Sequence, residues 1–312
     1  MRARWLVLLL VTGAACLPPA ATSATAIDGA EPAGGAPARV DDVLVDFRFG
    51  GGHIDFELWR QGTRVTQLAR NRYAVPIVLR WSIPSSFNVT PLTALEGVVV
   101  LPPADKPGGL GEAVVLAELA ISNPHQRYTR ELTFRARFGD PRARPEPYTY
   151  RLPYPAGLTF TVLQGFHGTF SHRGSNEFAV DFDCPVATPV LAARGGVVVA
   201  YNAAAQGGGT SPEYLDYKRT NFVLVLHDDG TLGEYMHLSP SGIEVKPGQR
   251  VERGTRLALS GNTGFSSTPH LHFQVMTAGE DGTTMVSFPF SLATKPKRIE
   301  EPVQGRRYTA WE

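Results

Sequence analysis

The chain has 312 residues, of which 43% are hydrophobic and 19% charged, and its 30 basic residues nearly balance its 29 acidic ones. This length and apolar content suffice for two domains with real cores. A near-neutral chain without a basic stripe argues against a nucleic-acid-binding protein, and the 32 glycines and 25 prolines favour turns over long helices.

Residues 1–26 have the pattern of a secretory signal peptide. Arg2 and Arg4 give a charged start, residues 5–11 are apolar, and residues 21–26 are small residues suited to cleavage. The apolar segment is too short to span a bilayer, and no later run approaches the ~18 apolar residues of a membrane helix. We therefore expect export across the inner membrane, with a periplasmic location favoured and an extracellular one left open.

The two cysteines, Cys16 and Cys184, predict a mature chain without an internal disulfide, because the first lies in the leader. Residues 13–16 resemble a lipoprotein cleavage box but begin with Gly13 where leucine is usual, so a lipid anchor through Cys16 is the less favoured alternative. Cys184 follows alternating apolar residues and is expected to be a small buried core residue rather than a zinc ligand.

Short apolar segments separated by turn residues predict an amino-terminal β-sandwich accessory domain over residues 40–140. A Gly/Ala/Pro-rich tether, residues 27–39, precedes it, and a Pro- and Arg-rich stretch predicts a linker at residues 141–154. The predicted strands are residues 43–49, 75–81, 97–101, 114–120 and 132–138.

The second domain, residues 155–290, is also predicted to be all-β, with an antiparallel sheet whose groove suits an extended peptide. The Gly-rich loop at residues 203–213 is placed at the rim of this groove, and residues 291–312 are assigned to a tail. The predicted strands are residues 189–193, 196–201, 222–226, 233–237, 255–259 and 270–276.

Two histidines, His270 and His272, stand two residues apart in an apolar run. Side chains at i and i+2 of a strand share a face, so both imidazoles can reach one metal ion. Leu271 and Phe273 fall on the opposite face, which predicts one wall of a site backed by a hydrophobic core.

Two further segments supply polar partners for this pair. In the first, Asp181 alternates with Val180 and Phe182, so it lies on the polar face of a second strand, nine residues after His172. The second is residues 233–239, which contain His237. One aspartate and several histidines in this order are hard to produce by chance.

The ordered motifs of residues 155–290 resemble the LytM/lysostaphin-type zinc endopeptidases of peptidase family M23, which cut peptide cross-links of bacterial cell walls. The family's His-x-His pair matches His270 and His272, and its Tyr-x-His-Leu motif matches residues 235–238. Its Asp-x-x-x-Pro motif with a following Thr-Pro-Val matches residues 181–190.

The resemblance implies one zinc ion per chain, held by His172, Asp181 and His272 and leaving an open position. It implies His270 as the general base and His237 as the residue that stabilises the oxyanion or protonates the leaving amine. The family's first histidine usually precedes the aspartate by four residues, and Glu177 stands there in this chain. His172 is favoured as the first ligand, with Glu177 and His167 left as alternatives.

The function that follows is a secreted zinc metalloendopeptidase acting on peptidoglycan cross-link peptides. A catalytically silent activator of another wall hydrolase and a secreted protease for glycine-rich proteins remain alternatives. The accessory domain is a candidate for binding a cell-wall or divisome protein. The sequence does not specify which peptide bond is cut.

The remaining histidines have simpler interpretations. His227 closes an apolar run before a turn and is expected to be structural. His53 and His125 lie outside the resemblance and are expected at the surface. Asp183 shares a strand face with Asp181 and is either a partner that orients a ligand or a solvated strand end.

Overall fold

The computed structural model describes residues 21–27, 37–40, 44–294, 298–299 and 301–311. These parts of the chain contain strands and three short 3₁₀ helices, Gly174–Asn176, Pro212–Leu215 and Tyr217–Arg219, and they contain no α-helix. No helix in the described ranges is long and apolar enough to cross a membrane. The prediction of an all-β chain is confirmed for these residues.

The amino-terminal part of the described chain forms two antiparallel sheets. One has the order β1-β11-β6-β9 with β7 also paired to β11, and the other has the order β2-β4-β5-β10-β8 with β3 paired to β4. The strands are β1 (Ala21–Ile27), β2 (Ala38–Arg39), β3 (Leu44–Phe49), β4 (Gly52–Gln61), β5 (Arg64–Asn71), β6 (Ile77–Ser82), β7 (Ser86–Phe87), β8 (Val89–Pro91), β9 (Glu96–Leu101), β10 (Ala113–Ile121) and β11 (Tyr128–Phe138).

The two sheets bury one core between them, which makes this part a β-sandwich. Alternate residues of each strand point inwards, such as Ile54 and Phe56 from β4 and Ile77 and Leu79 from β6. The rings of Phe56 and Phe134, one from each sheet, lie 4.4 Å apart between centroids. Hydrophobic residues with a period of two thus form the core of this sandwich.

The carboxy-terminal part is built on a nine-stranded sheet of order β21-β16-β18-β19-β24-β14-β13-β28, with β25 paired to β24. Three small sheets, β12-β26-β27, β15-β22-β20 and β17-β23, accompany it. The strands are β12 (Thr149–Arg151), β13 (Thr159–Gln164), β14 (Val180–Phe182), β15 (Pro189–Leu191), β16 (Gly196–Asn202), β17 (Gly208–Gly209), β18 (Phe222–Leu226), β19 (Leu232–Met236), β20 (Leu238–Ile243), β21 (Arg250–Val251), β22 (Arg256–Ser260), β23 (Gly264–Phe265), β24 (Leu271–Ala278), β25 (Met285–Phe288), β26 (Ser291–Ala293), β27 (Arg298–Ile299) and β28 (Arg307–Thr309).

The large sheet has an apolar back and a mixed front. Val223, Tyr235 and Phe273 of three neighbouring strands point to the back face, where they join a buried core. Residues next to them in sequence, such as Phe222 and His272, point to the opposite side, which we call the front face. The back core anchors the strands, so polar residues on the front face are held in fixed positions.

The sandwich packs directly on this front face. The rings of Phe49 and Phe222 lie 5.3 Å apart between centroids, and Met276 belongs to the same buried cluster. Gly50 and Tyr201 exchange two backbone hydrogen bonds of 2.8 and 2.9 Å. A Cβ atom at Gly50 would lie 2.5 Å from the Tyr201 ring, so only glycine allows this approach. The two predicted domains therefore share one hydrophobic core.

Parts of the predicted linker and tail belong to the second domain. Tyr150, Leu152 and Tyr154, which the sequence prediction assigns to the linker, are buried in the back core. Within the predicted tail, β28 pairs with β13, and Ala310 is buried. These apolar side chains extend the ordered domain beyond both expected limits because they cover the back face of the sheet.

Residues 1–20, which include Cys16 and most of the predicted leader, lie outside the described residues. Export and lipidation therefore stay predictions. Strand β1 spans the proposed cleavage region and pairs along its length with β11.

Candidate metal centre

Strand β24 carries the paired histidines on the front face. His272 and Gln274 point to this face, whereas Leu271 and Phe273 are fully buried in the back core. His270 immediately precedes the strand and lines the same cavity as His272. The alternation expected from the sequence is therefore present at this position.

Strand β14 places Asp181 beside the pair. It runs antiparallel to β24 with Asp181 directly opposite His272, and Asp181 Oδ1 lies 2.9 Å from His272 Nδ1. Val180 and Phe182 anchor β14 in the back core. Their burial leaves the carboxylate of Asp181 on the front face.

His172 reaches the same point from the loop between β13 and β14, and its side chain is fully buried. Its Nδ1 lies 2.9 Å from the carbonyl oxygen of Gly165, and its Nε2 lies 3.1 Å from Asp181 Oδ2. Because a carbonyl oxygen only accepts, Nδ1 carries the proton and Nε2 keeps a lone pair. The Gly165 carbonyl thus fixes the orientation of the His172 ring and leaves Nε2 available to a metal ion.

Gln164, at the end of β13, holds this arrangement together. Its Nε2 donates to Asp181 Oδ2 at 2.9 Å and to Ser171 Oγ at 2.9 Å. Its Oε1 accepts from the backbone N–H groups of Phe170 and Ser171, both at 3.1 Å. The glutamine therefore fixes both the carboxylate and the loop that carries His172. A polar residue at a strand end carries no specific signal, so this role of Gln164 cannot be read from the sequence alone.

The donor set fits a metal ion with three protein ligands. His172, Asp181 and His272 each offer one ligand atom, and these atoms lie within 4.8 Å of one another. Nε2 of His272 is buried without a hydrogen-bond partner among the described residues, which is costly for a polar atom that binds nothing. Nε2 of His172 also has no hydrogen bond there, although it faces the Asp181 carboxylate at 3.1 Å. Two imidazoles and a carboxylate are typical zinc ligands.

The charges of the cluster agree with this assignment. Burial raises the pKa of Asp181, but His172, His270 and the hydrogen bonds hold it well below its usual range. Burial lowers the pKa of His172, but the Asp181 carboxylate more than offsets this, and the net shift is upward. Asp181 is therefore ionised at neutral pH, and its carboxylate is available to a metal ion.

The two alternative first ligands lie elsewhere. Glu177 Oε1 is 3.1 Å from His167 Nδ1, and both side chains are about half exposed, at 48% and 56%. Neither residue belongs to the cluster of potential ligands found among the described residues. The structure brings His172, and not Glu177 or His167, to Asp181.

His237 turns towards the cavity through an unusual backbone conformation. Its φ of 62° is left-handed, which is uncommon for a non-glycine residue and clusters at functional sites. Regular alternation would send residue 237 to the back face with Tyr235. Instead its ring lies 4.3 Å from that of His270 between centroids. The strand end thus redirects one side chain into the site.

Both of these rings are held through Nδ1. His237 Nδ1 lies 2.7 Å from the carbonyl oxygen of Thr263, and His270 Nδ1 lies 2.8 Å from that of Thr268. Each Nδ1 therefore carries a proton, and each Nε2 is left for groups in the cavity. Burial and the neighbouring rings of His270 and His272 lower the pKa of His237 well below its usual range, so it is neutral at rest.

The cluster opens into a cavity of about 360 Å³. Phe170, from the loop between β13 and β14, and Phe265 of β23 stack 6.2 Å apart between ring centroids at its wall. Phe47 and Phe138 from the sandwich line it as well. The accessory domain therefore forms part of the groove that holds the candidate site.

The remaining predicted residues lie apart from the cluster. Cys184 is buried in the back core, and burial raises the pKa of its thiol. Asp183 and His125 are exposed. His53 Nε2 contacts Asp55 Oδ1 at 3.0 Å in the sandwich.

His227 is buried directly after the end of β18, where its Nδ1 contacts Thr231 Oγ1 at 3.1 Å. Burial, aided by the nearby Arg194 guanidinium, lowers its pKa from 6.5 to about 3. Between these values the unfolded chain binds a proton that the folded chain does not. The neutral ring therefore contributes stability above pH 6.5 that is lost as the pH falls towards 3.

We expect the free energy of unfolding of metal-free protein to fall by up to about 2 kcal/mol between pH 7 and pH 5 through His227 alone. A His227→Gln variant should lack this contribution. Urea unfolding of both proteins at the two pH values measures the difference, and parallel losses in both would contradict the assignment.

Residues 175–283 match the sequence model described as peptidase family M23. The peptidoglycan DD-endopeptidase ShyA of Vibrio cholerae is 33% identical over 159 residues, which are 49% of this chain and 34% of that protein. The glycyl-glycine endopeptidase ALE-1 of Staphylococcus capitis is 35% identical over 140 residues, 44% of this chain and 31% of that protein.

The solved catalytic domain of lysostaphin from Staphylococcus simulans is 31% identical, with 44% of this chain and 84% of that chain covered and a TM-score of 0.27. This chain spans about a third of the length of the two curated relatives.

Proposed function

The chain belongs, through residues 175–283, to peptidase family M23, and on that premise we propose that the protein is a secreted zinc endopeptidase that hydrolyses peptide cross-links of bacterial peptidoglycan. The observation that carries the proposal is the buried cluster of His172, Asp181 and His272 at the base of the cavity. The curated relatives act on peptidoglycan and on glycyl-glycine bonds, as their names state. The periplasm is the expected place of action.

Bound zinc would lower the pKa of a water molecule towards neutrality and polarise the scissile carbonyl group. His270 would accept the proton of the attacking water at Nε2, while the carbonyl of Thr268 holds its Nδ1 proton. Gln164 would keep the Asp181 carboxylate in place through the 2.9 Å hydrogen bond.

His237 would act later in the same reaction. Because its Nδ1 proton is held by Thr263, Nε2 must gain a proton before the ring can stabilise an oxyanion or protonate the leaving amine. The neighbouring ring of His270 lies 4.3 Å away between centroids, which supports sharing of the proton taken from water. The two histidines thus form a pair that accepts one proton and returns it to the leaving group.

The test is digestion of purified bacterial sacculi with the zinc-loaded chain, followed by mass spectrometry of the released muropeptides. Cross-linked dimers should decrease, with new amino and carboxyl ends at one peptide bond. Chelation should stop the reaction and added zinc should restore it. Intact cross-links after treatment with zinc-loaded protein would overturn the proposal, and cleavage of glycine-rich proteins alone would favour a different secreted protease.

A further inference from the structure

A second polar group lies on the front face, one step along the strands from the metal cluster. Glu234 of β19 is directly opposite Gln274 of β24, and Met236 is opposite His272. Glu234 and Gln274 are each 2% exposed, and both line the cavity. A step of two residues along a strand is about 6.6 Å. This pair therefore lies within reach of a peptide side chain close to the scissile bond.

The hydrogen bonds around Glu234 leave one acceptor unused. Tyr217 Oη donates to Glu234 Oε1 at 2.7 Å, and Gln274 Nε2 donates to Glu234 Oε2 at 2.6 Å. Gln274 Nε2 also lies 3.3 Å from Asn176 Oδ1. Exchanging the amide N and O of Gln274 would set two oxygens 2.6 Å apart, so its orientation is fixed. Gln274 Oε1 is then buried with no hydrogen-bond partner in the described chain.

The charge of Glu234 is also uncompensated. Among the described residues no cationic side chain forms an ion pair with it, and its two partners are neutral donors. Arg137, which also lines the cavity, donates to the carbonyl oxygens of Ala136 and Thr283. A buried carboxylate and an unpartnered carbonyl-type oxygen both cost free energy. A bound cation with hydrogen-bond donors would offset both costs.

We propose that Glu234 and Gln274 Oε1 form a subsite for a primary ammonium group of the bound peptide, such as the side chain of a diamino acid. An ammonium is compact and carries three donors without an acceptor, which suits a carboxylate with an unpartnered amide oxygen on the neighbouring residue. A guanidinium needs both carboxylate oxygens in one plane, and here each oxygen already accepts a bond from a different residue. This proposal rests on the proposed function, and the subsite would be one determinant of the enzyme's substrate specificity.

The test uses two cross-link peptides that differ only in one side-chain amine, which is free in the first peptide and acetylated in the second. The scissile amide of both peptides is N-methylated to prevent cleavage. Calorimetry with the zinc-loaded full chain should show binding of the free form about 10- to 100-fold tighter, the range of a charge-assisted hydrogen bond. Glu234→Gln should reduce the preference to within about twofold. Glu252→Gln, an exposed acid of the same domain, should keep it.

Zinc content and circular dichroism verify that each variant is folded. If Glu234→Gln does not fold, Gln274→Met carries the test, because it removes Oε1 and should also weaken the preference. Equal binding of the two peptides by the wild type, or a preference that survives in the folded variant, would overturn the subsite. This experiment measures binding and involves no cleavage. Failure of the proposed function would appear separately, as sacculi that remain intact.

Discussion

Replacement of Asp181 by alanine is expected to abolish zinc binding and sacculus hydrolysis together. The carboxylate contacts His172 at 3.1 Å and His272 at 2.9 Å, so its loss removes one ligand and frees the other two. His172→Ala should have the same effect. Glu177→Ala should retain about one zinc per chain, because that side chain pairs with His167 outside the cluster.

Elemental analysis of the purified variants, with circular dichroism to verify folding, measures this outcome. Active wild-type protein without zinc would contradict the metal centre itself. Loss of zinc from Glu177→Ala with retention in His172→Ala would move the first ligand to Glu177.

His270→Ala and His272→Ala should separate the two histidines of the pair. His270→Ala should keep zinc, since His270 Nε2 lies 3.8 Å from Asp181 Oδ1 and its ring is held by Thr268. Its turnover should fall by roughly 10²–10⁴-fold, because no positioned base takes the proton of the attacking water. His272→Ala should lose both zinc and turnover.

Zinc stoichiometry and the rate of sacculus hydrolysis, measured on the same preparations, decide between the roles. His270→Ala protein that holds zinc and cuts at nearly the wild-type rate would refute the assignment of the general base. Loss of zinc from this variant would make His270 a ligand.

The front-face residues of β24 and β14 could be predicted because a strand has a strict period of two. Burial of Leu271 and Phe273 forces His272 to the other face, and Val180 and Phe182 do the same for Asp181. The fold class follows from the same alternation. Strands β4 and β5 are absent from the sequence prediction, although the alternation of Ile54, Phe56 and Leu58 is readable in the sequence.

Other parts of the site depend on contacts between residues distant in sequence. Gln164 forms a hydrogen bond with Asp181, 17 residues away in sequence, and Gln274 forms one with Glu234, 40 residues away. Such pairs follow from strand order and register, which a single sequence does not specify. The position of His172 also depends on the course of an irregular loop, where no period constrains the side chain.

The common core of the sandwich and the large sheet has a consequence for any break in the chain between them. Phe49, Phe222 and Met276 contribute to one buried cluster, and Gly50 and Tyr201 join the two halves through backbone hydrogen bonds. A protease that cut within residues 139–147 would produce two fragments with complementary apolar faces. Dissociation of the fragments would expose that apolar area to water. The two fragments would therefore remain associated in one complex, with the groove intact.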